Sequence, residues 1–133
     1  MDFEDGKRWL KRARTIDSII WEKEQEIKAY EDCLTGAGVN YDKISVKSTP
    51  ENKFEKVMCE IALCYEEIKN LNIRKMEILQ EINETLDKLG ECPERYVLRA
   101  FYVKGLKMTE IAEKINYDEG YCYELRKKGI ERL

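Results

Sequence analysis

The residue types that most often perform chemistry in small proteins are either missing from this sequence or scattered along it. The 133 residues include no histidine, which excludes histidine-based catalytic triads and zinc sites that use imidazole. The five cysteines, at positions 33, 59, 64, 92 and 122, form no C-x-x-C pair. No glycine-rich phosphate loop or nucleophile motif is visible. We therefore expect a protein that is not an enzyme and needs no metal or cofactor.

Clustered basic side chains are the remaining candidates for a functional site. One group is the run of Arg and Lys at 126–128. A second group, Lys7, Lys11 and Arg14, follows the i, i+4, i+7 spacing of one helical face. Basic groups of this kind can contact phosphates. For the second group a solvated helix face is an equally open interpretation. Because the net charge is −3, with +2 in residues 93–133, any nucleic-acid surface must be local.

Two long helices are predicted at about residues 5–34 and 50–89, joined by a loop at 35–49. Their apolar residues are spaced alternately three and four apart, which keeps one stripe on a supercoiling partner. The two stripes comprise Trp9, Ala13, Ile16, Ile20, Lys23, Ile27, Tyr30 and Leu34, and Phe54, Val57, Ile61, Cys64, Ile68, Leu71, Lys75, Ile78, Ile82, Thr85 and Leu89. Residues 1–90 are therefore predicted to form a long antiparallel helical hairpin, a coiled coil, in an all-α protein.

A second apolar stripe follows the later helix beside the first. Its members are Met58, Ala62, Tyr65, Met76, Leu79 and Leu86. One hairpin partner covers one stripe. Three interpretations remain open: the second stripe packs on the C-terminal domain, it is simply part of a wide apolar face, or it joins two copies of the chain as a homodimer.

Residues 91–133 read as a separate domain of short helices. The first is predicted to begin at Pro93, where proline suits the first helical position, and to end at Gly105. Thr109 is the predicted cap of the next helix. Asn116 is expected at a left-handed turn position, and Asp118 is expected to cap the last helix.

The apolar spacing within residues 109–125 is typical of a helix-turn-helix. The predicted inward positions are Ile111, Ala112, Ile115, Tyr117, Cys122 and Leu125. In such a unit one helix braces on the DNA backbone and the other is presented to the major groove. An ordinary helical corner in a small all-α domain would show the same pattern, and that alternative stays open.

The motifs of residues 94–133 are the E-R-x-V-L opening, the Y-x-x-G before the turn, E-I-A in the bracing helix and the closing I-x-x-L. They resemble the promoter-reading C-terminal domain of bacterial sigma factors. Over nearly its full length the chain is similar to the ArpU/RinA-like phage regulators of late-gene transcription. The resemblance implies a four-helix unit that binds double-stranded promoter DNA without a cofactor.

The resemblance also implies which side chains read bases. The family's base-reading positions fall on Glu119, Gly120, Tyr123 and Glu124, where sigma-type domains usually carry basic or amide side chains. With the basic residues, the predicted DNA-contacting set is Thr109, Glu119, Gly120, Tyr123, Glu124, Arg126, Lys127, Lys128, Lys7, Lys11 and Arg14. Carboxylates can accept a hydrogen bond from cytosine, but they repel nearby phosphates.

The sequence thus predicts a homodimeric helix-turn-helix regulator of transcription, encoded by a phage or prophage. Two other functions remain open: a module that docks on RNA polymerase, and a phage packaging subunit similar to a small terminase. The opening MDFEDGKRWL lacks the apolar stretch of a signal peptide, and apolar runs reach only about five residues. We therefore expect a cytoplasmic protein with no membrane partner.

Overall fold

The computed structural model describes residues 1–35 and 50–133, so the predicted loop at 35–49 lies outside the described residues except for Thr35. The described part is all-α and contains no strand. Its helices are α1 (Phe3–Leu10), α2 (Arg12–Thr35), α3 (Pro50–Asp87), α4 (Pro93–Leu98), a π-helical turn (Arg99–Val103), α5 (Met108–Ile115) and α6 (Glu119–Glu131).

The first predicted helix is interrupted at Lys11. It begins at Phe3 rather than at residue 5, and it continues as α2 from Arg12. Arg12 Nε donates a 3.0 Å hydrogen bond to the Trp9 carbonyl oxygen, so a side chain competes for a backbone acceptor at the interruption. The predicted start of α3 at Pro50 is confirmed.

The end of α3 is tighter than an α-helix. The helix ends at Asp87, and the next three amides, those of Lys88, Leu89 and Gly90, donate to carbonyls three residues back. Gly90 then has a φ of 76°, a left-handed conformation that glycine adopts without strain. The helix therefore ends two residues before the predicted Leu89, and the turn that follows it closes at Gly90.

Contacts divide the described residues into two compact units: Met1–Thr15 with Lys75–Leu133, here called the terminal unit, and Ile16–Arg74, the middle unit. The division does not coincide with the predicted boundary at residue 90. The reason is that α1 and the end of α3 pack with the C-terminal helices. An added Cβ at Gly6 would collide with Ile130 Cγ2, and Arg99 Nη2 binds Asp87 Oδ1 at 2.6 Å.

The middle unit consists of one apolar layer between two helices. Ile27 of α2 clusters with Val57, Ile61 and Cys64 of α3, at positions that the heptad pattern predicted as inward. Toward the other end, the Lys23 ammonium forms a 2.6 Å ion pair with Glu67. Lys23 comes before Ile27 in α2, whereas its partner Glu67 comes after the α3 residues that contact Ile27. These two segments therefore run in opposite directions.

Some stripe positions are not buried as predicted. Phe54 is 55% exposed and Leu34 is 36% exposed, because they lie near helix ends, where a single partner helix supplies few neighbours. The second stripe is divided. Met58 and Tyr65 are exposed, whereas Leu86 is completely buried within the terminal unit.

Candidate nucleic-acid interface

The first helix of the C-terminal segment changes its pitch midway. It begins at Pro93 as predicted, but from Arg99 to Val103 it is a π-helical turn, in which the Lys104 amide donates to the Arg99 carbonyl at 3.0 Å. Gly105 follows with a φ of 71°, which confirms the predicted stop. The turn holds Tyr102 in the core at 2% exposure.

The connection between α5 and α6 has the predicted geometry. Asn116 adopts the left-handed conformation, with a φ of 59° and a ψ of 35°. Asp118 caps α6, because its Oδ1 accepts a 2.7 Å hydrogen bond from the Tyr121 amide. The predicted cap at Thr109 is wrong. Helix α5 begins one residue earlier, at Met108 after Lys107, because Met108 is only 3% exposed and anchors the first turn in the core.

Helices α5 and α6 pack through small and branched side chains. Ile111 and Ala112 of α5 cluster with Cys122 and Leu125 of α6, as predicted for inward positions. Burial raises the pKa of the Cys122 thiol. The inward prediction for Tyr117 is wrong. The left-handed residue before it redirects the chain, so Tyr117 is 44% exposed and contacts the Tyr121 ring edge-on at 4.8 Å.

The predicted reading positions lie at the start of α6 and are exposed. These are Glu119, Gly120, Tyr123 and Glu124, followed on the same helix by the exposed Lys127 and Lys128. Two carboxylates face two ammonium groups, so these positions together carry no net positive charge. Thr109, on α5, is also exposed. The arrangement offers an exposed helix start, with attraction to phosphate confined to the second half of the helix.

Arg126 is placed differently from its two lysine neighbours. Its side chain is half-buried, and its guanidinium carbon lies 5.5 Å from the Phe3 ring centroid and 5.6 Å from that of Phe101. Burial raises the pKa of Tyr102, and the charge of Arg126 opposes that rise. Arg126 therefore packs α6 against α1 and the π-helical turn.

The three basic residues of the N-terminal segment do not form one solvated stripe. Arg14 is half-buried: its guanidinium donates to the Phe101 carbonyl oxygen at 2.5 Å and lies 4.4 Å from the Phe101 ring centroid. Lys7 pairs with Glu4 at 3.1 Å, and Lys11 is exposed. The phosphate-contact interpretation needs all three side chains to be exposed. Of the three, only Lys11 is exposed.

Sequence reasoning missed two close approaches that position α6. A Cβ at Gly129 would come within 2.7 Å of Leu98 Cδ1 and 3.1 Å of Glu94 Cβ, so only glycine lets α4 and α6 meet here. Gly6 plays the same part against Ile130. Glycines inside predicted helices were the signal that could have revealed both contacts.

The described residues also limit other kinds of site. None of the helices in ranges 1–35 and 50–133 combines the length and apolarity that a membrane crossing requires. In the same ranges, no group of three or more cysteine, aspartate or glutamate side chains could hold a metal ion.

Comparison with known proteins gave no match: no family model, no curated protein and no solved structure matches this chain.

Proposed function

We propose that residues 91–133 form a helix-turn-helix domain that binds double-stranded promoter DNA and that the protein regulates transcription. The observation that supports the proposal is the left-handed Asn116 between α5, which buries Met108, Ile111 and Ala112, and α6, which Asp118 caps and whose first two residues are exposed. A helix that projects its first turns from such a brace fits the width of the major groove. The resemblance to ArpU/RinA-like regulators adds the proposed process, late-gene control in a phage or prophage.

Within this proposal, the residues of α6 have different tasks. Lys127 and Lys128 contact phosphates, and Tyr123 packs on a base or on the backbone. Arg126 stays out of the interface, because its contacts with Phe3 and Phe101 hold the helix in place. Affinity should be mainly electrostatic and should fall steeply with salt.

The test is fluorescence anisotropy on promoter fragments across a salt series. Lys127→Glu/Lys128→Glu should weaken binding and lower the salt slope by about 2, because two phosphate contacts are lost. The matched control is Lys56→Glu/Arg74→Glu, an equal charge change on exposed residues of the middle unit that lie away from Met58 and Tyr65. Unchanged affinity in the first variant, or equal loss in both, would contradict the proposal.

The proposed dimer uses the middle unit. We propose that α2 and α3 form an antiparallel coiled-coil hairpin and that its exposed apolar side chains meet a second copy. Met58, Tyr65 and Ile73, which share one face of α3, are 43%, 55% and 49% exposed. Light scattering at micromolar concentration should give twice the chain mass for wild type. The variant Met58→Glu/Tyr65→Glu should give the mass of a single chain. A ring of many subunits would favour the packaging-subunit alternative instead.

One observation favours a second candidate function, docking on RNA polymerase. The side chains of Asp118, Glu119 and Glu124 are all exposed around the start of α6, where a carboxylate repels DNA but attracts a basic protein surface. Capture of purified polymerase in the absence of DNA, abolished by Glu119→Lys/Glu124→Lys, would support it. If the same variant instead binds DNA more tightly and leaves capture unchanged, DNA is the partner.

A further inference from the structure

A small cavity lies on the side of α4 and the π-helical turn and has no part in the proposed reading helix. It has a volume of about 110 Å³ and is lined by Cys92, Arg95, Tyr96, Arg99, Ala100 and Lys104. Among its lining residues, Ala100 is buried at 3% exposure, whereas Tyr96 is 40% exposed. Three of the six lining residues are cations and none is an acid.

The π-helical turn is the feature that brings these cations together. Arg95 and Arg99 are four residues apart and share one face of the helix. In an α-helix the next residue on that face would be Val103. Here the amide of Lys104 bonds the carbonyl of Arg99, five residues back, so the extra residue of the turn places Lys104 there instead. π-helical turns of this kind are frequent at functional sites.

The cations are held in different ways. Arg99 Nη2 bonds Asp87 Oδ1 at 2.6 Å, and Arg99 Nε bonds Asn83 Oδ1 at 3.1 Å. These bonds fix the guanidinium plane and leave its Nη1 donors without a bond to the described residues. Arg95 and Lys104 form no ion pair with any residue that the structure describes. The cavity therefore has one pre-positioned arginine and two cations, Arg95 and Lys104, that form no ion pair with a described residue.

We propose that this cavity is a phosphate-binding site, in which Arg95 and Lys104 contact the phosphate oxygens and Arg99 supplies a fixed donor. Phosphate suits it because arginine donors match two oxygens of one anion. The apolar floor at Ala100 and the Tyr96 ring leave room for a sugar beside the phosphate. Two sources share this chemistry, the backbone of duplex DNA and a free phosphate or phosphate monoester. Only the first source rests on the proposed function.

The experiment uses the full chain and two probes. Inorganic phosphate is titrated into ¹⁵N-labelled protein, with sodium chloride at equal ionic strength as reference. Duplex DNA is titrated by anisotropy across a salt series. The variant is Arg95→Gln/Lys104→Gln, the control is Lys56→Gln/Arg74→Gln, and Arg95→Lys/Lys104→Arg keeps both charges. Circular dichroism checks that each variant is folded.

Phosphate is expected to cause a saturable change in the chemical shifts of the Arg95 to Lys104 amides. The phosphate affinity should fall at least tenfold in Arg95→Gln/Lys104→Gln and should stay unchanged in the control. If DNA affinity at 0.1 M salt also falls about 50-fold in that variant, the phosphate belongs to the DNA backbone. If DNA binding is unchanged while the phosphate shift is lost, the ligand is a free phosphate compound. A fall in DNA affinity without a phosphate shift supports the backbone source alone.

The proposal is overturned if phosphate gives no saturable shift and the glutamine variant binds DNA like wild type. It is also overturned if the control variant loses as much as the glutamine variant. If the wild-type protein binds no DNA at any salt concentration, the proposed function fails, and the phosphate titration then decides this site by itself. The two failures are thus distinguishable.

Discussion

The terminal unit and the middle unit bury their apolar residues to very different degrees. Every large side chain that is less than 2% exposed lies in the terminal unit, among the described residues. The best-buried residues of the middle unit, Val57 and Cys64, are 3% exposed. The difference follows from architecture, since two helices cover one stripe each, whereas several short helices enclose a core from all sides.

The exposed apolar residues differ as well. In the terminal unit the exposed large apolar residues are tyrosines, apart from Met1 and Met76. A tyrosine keeps its hydroxyl in water, so its exposure costs little. The middle unit instead exposes Trp21 at 61% and Leu63 at 57%. Among the described residues, the middle unit therefore leaves more aliphatic and indole surface exposed than the terminal unit does.

The largest expected effect comes from truncating the two cores. Leu125→Ala should lower the free energy of unfolding by about 3–5 kcal/mol, because its site is closed on all sides and a cavity remains. Ile61→Ala should cost about 2 kcal/mol, because its neighbours border solvent and can relax into the space. Chemical denaturation of the folded variants measures both.

Leu63→Ala is the control for these truncations, since Leu63 is more than half exposed and its loss should stay within about 0.5 kcal/mol. An equal loss in the free energy of unfolding for Leu125→Ala and Ile61→Ala would contradict the proposed difference between the two units. It would mean that a second copy closes the core of the middle unit.

A smaller effect is expected from the close contact of α4 and α6. Gly129→Ala should destabilise the protein by about 1–2 kcal/mol, because the new methyl group meets Leu98 and Glu94 and this steric cost exceeds the helix propensity gain. Thermal unfolding at fixed protein concentration measures the change.

Gly120→Ala is the matched control in the same helix. Its added Cβ would meet only Asp118 Oδ1, at 3.3 Å, so the variant should be neutral or slightly more stable than wild type. A stabilising Gly129→Ala would show that α4 and α6 are not in close contact, and it would remove part of the contrast between the two units.

The sequence was most informative where a single backbone or spacing rule decides the outcome. The left-handed Asn116, the Asp118 cap and the inward positions of Cys122 and Leu125 were all predicted. The roles of residue types with two possible uses were harder to predict, because an arginine can bind phosphate or stack on aromatic rings. Arg14 and Arg126 stack, and only the folded positions of Phe3 and Phe101 reveal it.

The candidate phosphate cavity was beyond prediction for a similar reason. Arg95 and Arg99 have the spacing of one helical face, but Lys104 joins them only through the π-helical turn. No local residue type signals that turn, since it arises where the core fixes Tyr102 and Gly105 ends the helix. The heptad pattern likewise located the buried stripe of the middle unit. It could not reveal whether another copy of the chain packs on the exposed apolar side chains beside that stripe.

The smallest expected effect concerns Lys23, the charged residue within the apolar stripe of the middle unit. A hydrogen bond to the Glu67 carboxylate, reinforced by the charges of Glu67 and Glu26, raises the pKa of the Lys23 ammonium above its usual 10.5. Because the folded-state pKa is the higher one, the stabilisation is fully present below pH 10.5 and is lost as the pH rises through the folded value.

Lys23→Met removes that dependence and keeps the length of the side chain. Wild type should therefore lose slightly more thermal stability than Lys23→Met between pH 9 and pH 11.5. Burial raises the pKa of the Cys64 thiol and the Lys23 charge opposes that rise, so both proteins carry Cys64→Ala to remove this second titration from the difference. Comparable or greater loss in Lys23→Met would mean that the ion pair adds nothing to the middle unit, which would then be held by Ile27, Val57, Ile61 and Cys64 alone.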